Sequence, residues 1–108
     1  MTVYDLYGLL SGDIGEAKSV LESSLGINFG VRESDYQGGG YFQSGNVEGE
    51  HFVLKQNVDP FDGDPAETSF PSYKILFYIN DTARSAYLQE RMLQGAKDFI
   101  LLRHENLE

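Results

Sequence analysis

Cysteine and tryptophan are absent from this chain of 108 residues, proline occurs only three times, and basic side chains number eight against seventeen acids. Without cysteine there is neither a disulfide framework nor a thiolate metal site, and a small secreted scaffold normally relies on such a staple. Lys and Arg are too few and too scattered to form the patch that phosphate neutralisation needs, which disfavours direct nucleic-acid binding. No apolar run approaches the roughly 20 residues that cross a bilayer. The opening MTVYDLYGLLSGD also lacks the basic and cleavage features of a secretory signal, so the expected address is the cytoplasm.

What is present suits one folded domain, residues 1–108. The composition is 41% hydrophobic and 13% aromatic, with seven Tyr and seven Phe, enough apolar surface to offset the entropy of ordering the chain. Thr2 to Leu10 reads as a first strand. Asp13 caps a helix from Ile14, supported by Glu16 three residues on, and Gly26 stands where a left-handed C-terminal residue belongs. Ile27, Phe29 and Val31 alternate with polar or small residues, which predicts a strand with those three on its buried face. Strands Tyr41 to Ser44 and His51 to Gln56 follow, the latter with Phe52 and Leu54 on one face.

All three prolines fall in residues 57–72, among Asp59, Asp62, Asp64 and Glu67, predicting an exposed acidic loop. YKILFYI, Tyr73 to Ile79, reads as the central strand. Asn80 or Asp81 then caps a helix from Thr82 to Gln94, with Ala83, Ala86, Tyr87, Leu88, Met92 and Leu93 on its apolar stripe. Asp98 to Arg103 reads as a last interior strand, and residues 104–108 as a fraying tail. The expected fold is α+β: a two-layer sandwich whose mostly antiparallel sheet of five or six strands carries two helices on one face. Its order is β-α-β-β-β-β-α-β, with a ferredoxin-like variant the nearest simple topology.

The chemistry-bearing patterns are sparse. Gly38, Gly39 and Gly40 lead into Tyr41 and Phe42 rather than a helix, so they fit a hairpin better than a phosphate loop. Taking Gly63 as the glycine of an EF-hand loop puts Val58 and Pro60 at ligand positions, which fails on ligand type. No nucleophile elbow occurs. Glu33, Asp35 and Glu50 could meet on neighbouring strands with His51 to give an acid–base site, but exposed side chains without a chemical role fit as well. No catalytic residue, metal ligand or cofactor is assigned, and the chain is not expected to be an enzyme.

YDLYGLLSGDIGEAKSVLESSLGINFGVRESDYQGGGYF resembles the start of small immunity proteins from bacterial polymorphic toxin and contact-dependent growth inhibition systems. The likeness is carried by Asp13-Ile14, Leu25-Gly26, Arg32-Glu33-Ser34, Tyr36 to Gly39 and Tyr41-Phe42. A second patch runs from LFYINDTARS into the helix ending at Leu93. The resemblance implies a non-catalytic protein that binds and neutralises one toxin domain of its own bacterium, often a nuclease acting on tRNA or DNA.

A formal net charge of -9 suits a basic protein partner, since an acidic inhibitor is steered to a face built to attract nucleic acid. Charge and loop length place the expected toxin-binding residues at Asp59, Asp62, Asp64 and Glu67 and at the turns bearing Asp35, Tyr36, Glu48 and Glu50. The alternative is a regulatory domain that binds calcium or a small molecule through the acidic loop.

Overall fold

The computed structural model describes residues 2–34, 39–59 and 63–107. Its elements run β1 (Thr2–Leu9), α1 (Ile14–Leu25), β2 (Gly30–Ser34), β3 (Gly39–Gly45), β4 (His51–Gln56), β5 (Ile75–Thr82), α2 (Ser85–Gly95) and β6 (Ile100–Leu107). The strands form one antiparallel sheet in the order β2-β3-β4-β5-β1-β6. The expected α+β sandwich is therefore the fold. Its β4, β5, β1 and β6 reproduce a ferredoxin-like set, and β2 and β3 extend it as a meander.

α1 starts and stops for the reasons its sequence gives. The Asp13 carboxylate accepts from the Glu16 amide at 3.1 Å, and Gly26 takes a left-handed φ of 69° while its amide donates to the Glu22 carbonyl at 3.0 Å. Ala17, Leu21 and Leu25 of α1 and Leu88 and Met92 of α2 bury against one face of the sheet, which presents Tyr7, Phe52, Leu54, Ile75, Phe77 and Ile79. Phe77 lies at the centre, its ring 6.1 to 6.2 Å from those of Tyr7, Phe29, Phe52 and Phe99.

One row of side chains crosses all six strands on this face: Val31, Phe42, Leu54, Phe77, Tyr7 and Leu101. Exposure climbs from 0% at Leu54 and Phe77 to 66% at Val31 and 39% at Leu101, because the helices cover the middle of the sheet and not its edges. The expectation that Ile27, Phe29 and Val31 share a buried strand face is thereby corrected. The strand begins only at Gly30, Phe29 reaches the core from the connection before it, and Val31 sits on an edge that nothing covers.

Two further boundaries differ. Asn80, Asp81 and Thr82 complete β5 instead of opening α2, which starts at Ser85 without a side-chain cap. Asp81 has a φ of 56°, and the register slips between Val3–Thr82 and Asp5–Ile79, so an extra residue bulges here. Tyr87 and Leu93, expected on the apolar stripe, are 54% and 74% exposed. Residues 104–107 do not fray: they lie in β6 and pair with β1 as far as Thr2–Leu107. β6 is an edge strand with Ile100 44% exposed, so its apolar run is not interior.

Candidate protein-binding surface

The far face of the sheet, away from the helices, is covered by the segment after β4. Asn57 is the hinge pin. Its side-chain amide donates to the carbonyls of Phe70 at 3.0 Å and Tyr73 at 2.8 Å, and its Oδ1 accepts from the Glu67 amide at 2.9 Å. Backbone bonds from Asn57 to Lys74 and from Lys74 to Leu9 tie both ends of the segment to the sheet. Tyr73 lies over Gly8, where an added Cβ would come within 2.7 Å of its ring and 2.6 Å of Leu102; glycine is required for that approach. The expected exposed loop is thus anchored, with Asn57 at its root.

Glu67 fixes the middle of the segment. It accepts from the Tyr78 hydroxyl at 2.5 Å and from both terminal nitrogens of Arg103, at 3.1 and 3.4 Å. Burial alone would raise its carboxyl pKa, but the hydrogen bonds from Arg103 and Tyr78 and the charges of Arg103 and Lys55 hold it below the usual range. Burial lowers the buried Lys55 ammonium, with Glu67 and Asp59 opposing that shift. Tyr78 is pushed up by burial and by the neighbouring carboxylate. Beyond Arg103 a groove of about 260 Å³ is lined by Tyr4, Leu6, Tyr78, Asn80, Glu105 and Leu107.

The predicted binding residues divide between different parts of this frame. Asp59 and Asp64 belong to one closed turn, with the Asp59 amide 2.6 Å from the Asp64 carbonyl and the Gly63 amide 3.0 Å from the Asp59 carbonyl. Glu48 lies exposed in the β3–β4 turn, where its amide donates to the Asn46 side chain at 2.9 Å. Since β4 separates that turn from the Asn57 segment, the two acidic groups sit at opposite ends of a six-residue strand, roughly 20 Å apart. Glu50 and Glu67 are engaged within the chain and are not bare charges. Asp35, Tyr36 and Asp62 lie outside the described residues.

Glu50 grips Arg84 through two nitrogens, with contacts of 2.7 to 3.2 Å, and accepts from Thr82 at 2.6 Å. Hydrogen bonding from Arg84 lowers its pKa, with burial opposing and Thr82 assisting. His51 has Nδ1 2.8 Å from the Gly49 carbonyl and Nε2 3.3 Å from Asn80. The register places Glu33 opposite Gly40 and His51 opposite Gly45, at opposite ends of β3, so the acid–base grouping of Glu33 with His51 does not assemble. Among the described residues, no group of three or more His, Asp or Glu is placed to hold a metal ion.

A buried polar centre was missed in the sequence. The Asp5 side chain, 0% exposed, has Oδ1 2.5 Å from His104 Nδ1, and its Oδ2 accepts from the Ser85 hydroxyl at 2.6 Å. Gln89 donates to the same hydroxyl at 3.0 Å. An aspartate in an otherwise apolar strand, YDLYGLL, is the one signal that pointed to it, because a carboxylate on a buried face needs partners.

Scanned against models of known families the chain matches none, and a search of curated proteins finds no significant match.

Proposed function

We propose that this chain is an immunity-type inhibitor that binds and neutralises a cognate bacterial toxin domain, a basic nuclease acting on tRNA or DNA, in the cytoplasm. It acts by stoichiometric contact rather than as an enzyme. The observation that carries this reading is how the charges are disposed. Of the eight basic side chains, Lys18, Arg84 and Arg103 form ion pairs within the chain, and Lys55 is buried beside Glu67 and Asp59. Arg32 and Arg91 donate to backbone carbonyls of Val31 and Ser24. Six of the eight cations are thus engaged within the chain, with Lys74 and Lys97 exposed, and the excess of acid gives a basic partner its long-range attraction.

The anchoring of the Asn57 segment supports a binding role for its tip. A frame already held at Asn57 and Glu67 loses little freedom when a partner docks beside it, which saves part of the ordering cost of association. Asp59 and Asp64 are therefore the residues assigned to contact, with Asp62, Asp35, Tyr36 and Glu48 as further candidates. Glu67 and Glu50 serve from behind, by fixing the frame.

The test is co-expression with the toxin domain encoded beside this gene, followed by pull-down and a growth assay. Binding with protection is expected; neither binding nor protection rejects the reading. Within a complex, Asp59→Lys and Asp64→Lys should weaken affinity and flatten its salt dependence. Unchanged affinity and slope would move the contact away from this turn. A calcium-dependent rise in melting temperature in the absence of any toxin would instead favour the alternative of a regulatory domain that binds calcium.

A further inference from the structure

The sheet ends in two edges, β2 of five residues and β6 of eight. β6 is paired along its length with β1 alone and contains neither proline nor lysine. An edge of this kind offers a row of backbone donors and acceptors to any incoming strand. It also carries apolar surface, with Ile100 44% and Leu107 52% exposed. The pairing with β1 assigns its faces: Ile100 opposite Gly8, Arg103 opposite Leu6 and Glu105 opposite Tyr4 lie on the far face, and His104 opposite Asp5 lies on the helix face. The register shift between Leu6 and Tyr7 leaves Leu102 as the extra residue.

We infer that β6 pairs antiparallel with β6 of a second copy of this chain, centred on His104. This centre sets Arg103 of each copy opposite Glu105 of the other. Past the bulge at Leu102 it sets Ile100 opposite Leu107, again in both directions. A two-fold contact requires a surface complementary to itself, and Arg-His-Glu run against its own reverse meets that requirement in charge while the apolar ends meet it in polarity. Other registers do not. Centring on Arg103 or on Glu105 brings like charges face to face, and a slip of one residue puts far-face side chains opposite helix-face ones. The groove beside Arg103 reaches this edge through Glu105 and Leu107.

This inference is independent of the toxin. A net charge of -9 per copy opposes association at long range, so sedimentation equilibrium belongs at about 0.15 M salt or above, where the Debye length is about 8 Å. Dimer is expected, with Glu105→Arg weakening it about tenfold or more, because the like-charge clash it creates occurs twice. The native chain has no cysteine, so cross-linking starts without background. The Ile100→Cys/Leu107→Cys double variant should form a disulfide-linked dimer on mild oxidation. Each single variant should behave like Val47→Cys, an exposed control on the β3–β4 turn. A chain that stays monomeric at about 1 mM, or a double variant that links no faster than the control, overturns the pairing. A monomer that still protects against toxin overturns it and leaves the proposed function standing.

Discussion

Asp5 and His104 stand 99 residues apart in sequence and 2.5 Å apart in space, the carboxylate wholly withdrawn from solvent and the imidazole 45% exposed. The contact joins the first strand to the last on the helix face of the sheet.

Removing His104 leaves Asp5 with Ser85 as its one remaining hydrogen-bonding side chain among the described residues. His104→Ala is expected to cost about 1 to 3 kcal/mol, the penalty of under-satisfying a buried carboxylate, whereas Lys97→Ala, on an exposed turn, should stay within about 0.5 kcal/mol. Urea unfolding of the two variants checks this; equal midpoints would show that Asp5 does not depend on the imidazole.

Acid should loosen the molecule through Glu50 and Glu67. Both carboxyls are held below their ordinary range in the folded state, so the stability they add is complete above the unfolded value of about 4.3 and disappears as pH falls through the folded value. The unfolding midpoint should be level from about pH 7 to 5 and drop below about 4.5. The Glu50→Gln/Glu67→Gln double variant should start lower and drop less. An undiminished drop would assign it to other carboxylates.

Helices α1 and α2 meet at Gly95 and Ser24, where an added Cβ on the glycine would lie 2.3 Å from the serine Oγ and 2.9 Å from its Cβ. Arg91 Nε donates to the Ser24 carbonyl at 2.9 Å and holds the same crossing. Gly95→Ala should therefore destabilise by about 1 to 3 kcal/mol, even though alanine is the better helix former by about 1 kcal/mol. Ser24→Ala should relieve part of the clash, giving the pair a coupling of at least about 0.5 kcal/mol in a double-mutant cycle. Simple additivity would refute the contact.

Asn57→Ala removes three hydrogen bonds at once. A loss of about 2 to 3 kcal/mol is expected, with faster amide exchange concentrated in residues 63–73. Asn57→Asp keeps the acceptor for Glu67 but loses both donors, so it should not restore protection. Uniform exchange across the sheet would mean the segment does not depend on this side chain.

Local signals were legible where they were satisfied locally. Asp13 and Gly26 bracket α1, and the alternation in His51 to Gln56 gives β4 its bounds, because caps and period-two patterns are decided by neighbours in sequence. The length of β6 was misjudged because His104 and Glu105 look like solvated tail, and the partner of His104, Asp5, is far away in the chain. Asn80 and Asp81 look like a helix cap but sit in a bulged strand end, a conflict that pairing with β1 resolves. Of the candidate site, the acidic composition was visible in the sequence. The internal pairing of Glu50 with Arg84 and of Glu67 with Arg103 was not.

β1 lies between β5 and β6, so on the ribosome neither neighbour exists until residues 75–82 and then 100–107 have been made. At about 5 to 20 residues per second, a strand bearing Leu6 and Tyr7 waits some seconds to tens of seconds without a partner, while β2, β3 and β4 can already form their local meander. An apolar strand is therefore made well before either of the strands that flank it.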